Sequence, residues 1–196
     1  MSVYFTTSVP IAAPVEAVFD ASLNIGHHLD SMSHSGEHVV GGVSSGLIGL
    51  GESVTWRARH FGIWWRMTSA ITAWDRPVQF VDEQVRGPFA SFRHVHHFTA
   101  LPGGRTLMRD EITFTAPLGP VGLVAERVLL ARYLRSLIER RNAWLVHSLS
   151  GAAPAGGEDG DHQGQGHHPR RDSREHSHSV GQDDTAQPAA DRHPEL

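Results

Sequence analysis

The chain has 196 residues, a formal net charge of −4 with its histidines neutral, fifteen histidines and no cysteine. The lack of cysteine excludes a disulfide framework and any thiolate metal centre, and no segment approaches the ~18 uninterrupted apolar residues of a membrane span. Residues 1–150 carry thirteen Arg against twelve Asp plus Glu, so there is no broad basic footprint for nucleic acid.

Composition divides the chain near residue 150. Every Trp, Phe, Tyr and Met lies before that point. Residues 151–196 hold four Arg, nine acidic residues and six His among many Gly and Pro, with Val180 and Leu196 as the only large aliphatics. Such a segment buries too little apolar surface to offset its ordering entropy, so a disordered acidic and His-rich tail is expected after one domain over 1–150. The start, "MSVYFTTSVPIAAPVEAVF", lacks the basic flank and long apolar run of a secretion signal, and a cytoplasmic protein is expected.

Residues 2–10, "SVYFTTSVP", are β-branched and aromatic and read as a first strand. Pro14 then opens a short amphipathic helix in which Val15, Val18 and Phe19 recur at helical spacing. "NIGHHLDSMSHSGEH" reads as a second short helix or an ordered loop, and its His27, His28, His34 and His38 read as surface residues. Glycines at 41, 42, 46, 49 and 51 punctuate a weak strand around 37–44 and its turn.

From residue 52 the apolar period is two. Val54, Trp56, Ala58 and His60 share one face, and after Gly62 so do Ile63, Trp65, Met67, Ser69 and Ile71. "RPVQFVDEQVRGPF" supplies a turn, a strand and another turn. In "SFRHVHHF" the residues Phe92, His94, His96 and Phe98 face one way, and in "TLMRDEITF" Met108, Asp110, Ile112 and Phe114 do the same. These hairpin-linked strands predict a curved antiparallel sheet whose apolar face needs a cover. Residues 121–149 supply it as a long helix, with Val121, Val124, Ala125, Val128, Leu134, Leu137, Ile138, Leu145 and Leu149 along one side. Arg127, Arg132, Arg135, Arg140 and Arg141 fall mostly elsewhere.

The order of strand, two short helices, antiparallel strands and long terminal helix resembles the helix-grip fold of the START-like (SRPBCC) superfamily. "GESVTW", "FVDEQVRGPFASFRHVHHF" and "GGRTLMRDEITFTAPLGPVG" resemble its small bacterial cyclase/dehydrase-like members. That resemblance implies an α+β domain with a deep apolar pocket between sheet and helix. It also implies a use ranging from carriage of a lipid, quinone or polyketide to aromatase/cyclase chemistry.

Face assignment places His60, His94, His96 and Asp110 in an otherwise oily concavity with Trp56, Trp65, Met67, Phe92, Phe98, Met108 and Phe114. Register in the hairpin at Pro102 and Gly103 decides their pairing. A three-residue loop at 102–104 sets Ala100 against Thr106, Phe98 against Met108 and His96 against Asp110, whereas a five-residue loop sets Phe98 against Asp110. The first is expected, because an imidazole relieves the cost of burying the Asp110 carboxylate. Asp82 is the candidate partner for His94 across the preceding hairpin. The group reads as a structural network, as the polar anchors of a ligand site, or as a catalytic set with His96 or His94 as general base oriented by Asp110. The HxH spacing with His60 is too little for a metal centre, and no cofactor is called for. The expected partner is a small hydrophobic or aromatic molecule. Outer-face Trp64, Trp74 and Arg66 form an aromatic patch suited to weak homodimerisation.

Overall fold

The computed structural model describes residues 2–116 and 125–150. The expected disordered tail, and Val121 and Val124 of the expected helix, lie outside the described residues. The elements are β1 (Val3–Ile11), α1 (Val15–Leu23), α2 (Ile25–Ser31), β2 (His38–Gly42), β3 (Ser53–His60), β4 (Ile63–Asp75), β5 (Gln79–Arg86), β6 (Ser91–Leu101), β7 (Arg105–Thr115) and α3 (Ala125–Ser150). The seven strands form one antiparallel sheet in the order β1-β7-β6-β5-β4-β3-β2. With α1 and α2 after the first strand and α3 after the last, this is the expected helix-grip architecture.

Local chemistry sets the joints. Pro14 precedes α1 with φ −59°, a value its ring fixes. Asn24 separates α1 from α2 and caps the latter, its side chain accepting the His27 amide at 3.2 Å. The glycine-rich segment folds back onto this joint: the Ile25 amide donates to the Gly46 carbonyl at 2.9 Å and the Ile48 amide to that of Leu23 at 3.2 Å. Gly42, where β2 ends, has φ +77°, and a side chain there would collide with the Ser53 carbonyl.

Two packed cores flank the sheet's inner face. The larger gathers Ile11, Val18, Phe19, Phe80, Phe98, Met108 and Leu145, and the smaller Phe5, Ile112, Phe114 and Ile138. Trp74 departs from the outer-face expectation. The β4–β5 register shifts between Ile71 and Ala73, which turns the next residues over, so Trp74 stands opposite Phe80 and packs edge-on against Phe19 at 5.4 Å. Trp64 does stay outside, 47 % exposed, with the Arg57 guanidinium 4.6 Å from its ring centre. Val128 also departs from its expected side of α3 and is 47 % exposed. The buried stripe runs through Leu130, Leu134, Ile138 and Leu145, and two residues of helix carry Val128 roughly 200° around from Leu130.

Candidate functional site

A cavity of about 550 Å³ lies between the inner face of the sheet and α3. Trp56, Trp65, Met67, Phe80, Phe92 and Ile112 form its sheet wall, and Leu130, Leu134, Leu137 and Ile138 its helix wall. Ile25 and Met32 close it from the α2 side. Polar residues on this wall include Ser69 on β4, Asp82 on β5, His94 and His96 on β6, and Arg141 on α3.

The β6–β7 hairpin brings the ionisable group together. Its loop spans 102–104, with Gly103 and Gly104 at φ +78° and +66°, and it pairs Ala100 with Thr106, Phe98 with Met108 and His96 with Asp110. That is the expected register. The Asp110 carboxylate serves more than one imidazole, however. His94 Nε2 donates to Asp110 Oδ1 at 2.9 Å, and His96 Nδ1 lies 2.9 Å from the same oxygen without an aligned N–H. The other carboxylate oxygen accepts from Asn142 Nδ2 at 2.6 Å and from the Thr7 hydroxyl at 3.3 Å. Asp110 is 0 % exposed and sits behind the histidines, off the cavity wall. When His94 donates through Nε2 its Nδ1 is left as an acceptor.

Electrostatics follow from this packing. Burial would raise the Asp110 pKa, but the contacts from His94 and His96 outweigh it and hold the carboxyl well below its ordinary range. Burial, reinforced by neighbouring His94, holds His96 well below an ordinary histidine in spite of Asp110. Asp82 stands opposite His94 in register, as expected, yet His94 bonds Asp110, and Asp82 Oδ1 is buried without a hydrogen-bond partner. Burial therefore raises the Asp82 pKa, only partly offset by His94 and Ser69. An acid raised in the folded state loses stability as pH climbs from the unfolded value, about 3.9, through the folded one. Asp82→Asn is accordingly expected to stabilise the protein by on the order of 1 kcal/mol at pH 7, with the gain shrinking toward pH 4. Denaturant midpoints across that range test it, and a loss of stability at pH 7 would refute it.

At the other end, the Tyr133 hydroxyl donates to His60 Nδ1 at 2.7 Å, tying the β3–β4 hairpin to α3. Burial lowers the His60 pKa, which suits an acceptor nitrogen. Phe61, at the hairpin tip, has φ +52°, uncommon for an aromatic residue, and its ring lies 4.5 Å from that of Tyr133.

Of the residues expected in the site, Trp56, His60, Trp65, Met67, Asp82, Phe92, His94 and His96 lie on the cavity wall. Phe98, Met108 and Phe114 do not: each is packed within a core by helix side chains that cover that part of the face. Several polar wall residues were not singled out as site residues by the sequence reading. His28, expected at the surface, stacks on Trp56 at 4.3 Å and approaches Glu37 at 3.2 Å. It shares a helical stripe with Ile25, the signal that could have found it. Arg141, expected off the apolar side, is 5 % exposed and one turn beyond Leu137 on the cavity wall. Tyr133 and Ser69 lie on the wall as well. Among the described residues, His94, His96 and Asp110 are also the cluster whose donor atoms come close enough for a metal. Here they are engaged with one another, and His60, the third imidazole of the HxH reading, is bonded to Tyr133.

A seven-stranded antiparallel sheet gripping a long helix around an apolar cavity defines a helix-grip protein. Residues 2–149 match the family described as polyketide cyclase / dehydrase and lipid transport, and the chain belongs to that family. Among solved structures it is similar to TTHA0849 from Thermus thermophilus, at 16 % identity and TM-score 0.63, covering 77 % of this chain and 99 % of that one. It is similar also to a START superfamily protein from Mycobacterium smegmatis, at 12 % identity and TM-score 0.56, covering 76 % and 97 %. The Zhui aromatase/cyclase from Streptomyces sp. R1128 resembles it at 16 % identity and TM-score 0.53, covering 77 % and 93 %. At these identities the likenesses concern the fold. No curated protein matches the chain in sequence.

Proposed function

We propose that this chain binds a small hydrophobic molecule, a lipid, quinone or polyketide-like compound, in the cavity between its sheet and α3. The observation that carries the reading is the cavity itself: about 550 Å³, walled mainly by apolar side chains, with Asp82, His94, His96 and Arg141 among the few polar groups on its wall. Affinity comes from burying apolar ligand surface at ~25 cal/mol per Å², and the polar groups fix orientation. Protein purified under native conditions, extracted and analysed by mass spectrometry is expected to release an apolar compound, or to take up a hydrophobic fluorescent probe. Failure of both overturns the reading.

A second reading rests on the Asp110-held imidazoles. A histidine on a cavity wall, backed by a buried carboxylate, is a general base for aldol-type cyclisation or dehydration of a polyketone substrate. The test is turnover of a model poly-β-ketone. Under this reading His94→Ala or His96→Ala lowers the rate by about 100-fold or more with folding intact. No turnover by the native chain, or turnover indifferent to both substitutions, removes it.

A further inference from the structure

Arg141 is unusual among the groups of the cavity. It lies on the wall, 5 % exposed, and its Nη2 donates to the Ser22 carbonyl at 3.1 Å, while Nη1 is buried with no hydrogen-bond partner. A guanidinium offers five N–H donors in a fixed fork suited to a carboxylate. Neither neighbouring carboxylate meets it. Asp110 is occupied by His94, Thr7 and Asn142, with His96 against the same oxygen as His94, and Asp82 makes no hydrogen bond to the guanidinium. On the described wall Arg141 is also the only arginine, and there is no lysine. A cation with spare donors therefore stands on the wall of a mainly oily chamber.

We propose that the bound molecule carries a carboxylate and that the Arg141 guanidinium receives it, so that the cavity takes acidic amphiphiles polar end first. The proposal rests on the ligand-binding reading above and specifies its substrate class. Asp82 lies on the same wall and makes no hydrogen bond to the guanidinium, so it leaves those donors free. The apolar body of the ligand then lies along Leu137, Ile138, Trp56 and Phe92.

A matched pair of probes tests this on the full chain at pH 7: naphthalene-2-carboxylate and its neutral methyl ester, titrated calorimetrically. The native protein is expected to hold the carboxylate tighter by about tenfold or more, since charge-assisted hydrogen bonds are roughly twice as strong as neutral ones. Arg141→Gln is expected to abolish that preference, the carboxylate losing about tenfold or more relative to the ester. Equal binding of the two probes by the native chain, or a preference that survives Arg141→Gln, overturns the proposal and leaves the hydrophobic site standing. Binding of neither probe overturns both. Should Arg141→Gln fail to fold, the native comparison still decides, and Arg141→Lys, which retains the charge, is expected to keep part of the preference.

Discussion

Replacing Asp110 by alanine is expected to cost about 3–5 kcal/mol of folding stability, the range found when one partner of a buried charged group is removed. The carboxylate has no exposure and holds His94, Asn142 and Thr7 by hydrogen bonds with His96 in close contact, so its loss strands donors from β1, β6 and α3 together. The same group sets an acid limit. Its folded pKa lies below its unfolded one, so its contribution is complete above about pH 4 and is lost as pH falls from there toward the folded value. His96 acts with the same sign at higher pH. The unfolded chain takes up a proton below about 6.5 that the folded chain refuses, and stability declines from that point downward. Denaturant midpoints measured from pH 7 to pH 3 check both claims. In Asp110→Ala the part of the slope below pH 4 should flatten. A loss under about 1 kcal/mol at pH 7 would mean that the network is dispensable.

Phe19→Ala is the second large effect, at about 3–5 kcal/mol, as for other fully buried aromatic residues cut to alanine. Phe19 has no exposure, and its ring meets Trp74, Phe80 and Phe98 at centroid distances of 5.4, 5.5 and 5.3 Å. These partners come from β4, β5 and β6, so this one side chain of α1 docks the helix onto three strands. Its neighbour provides the control. Asp20 pairs with Arg76 at 2.8 Å on the exposed side of the same helix, and Arg76→Ala should cost far less than Phe19→Ala. Thermal and denaturant melts of the two variants decide it, and comparable losses would refute this picture of the core.

The β6–β7 pairing was legible in the sequence because a period of two, a short Gly-Pro loop and the cost of a lone buried carboxylate all select one register. Trp74 was not legible, since a single extra residue in β4 reverses every face assignment after it, and nothing in the local pattern marks where a bulge falls. For Phe98, Met108 and Phe114 the face could be read but the fate of the face could not. Whether an inner position meets a cavity or packed atoms depends on where α1 and α3 settle, which is decided by contacts far apart in the chain. Arg141 and His28 escaped for a related reason. A polar residue within an apolar helical stripe looks like a break in the stripe, and only a cavity facing it gives that residue a use. The sharing of Asp110 also depends on Asn142, a position on the terminal helix that hairpin geometry does not reach.

The shell around Asp110 joins Thr7 to Asn142, partners separated by 135 positions. During synthesis that shell cannot be complete until residue 142 of the last helix has left the ribosome, whatever strands have already formed. A nascent chain halted before that point is left with an acid sealed behind the histidines and one clasp missing.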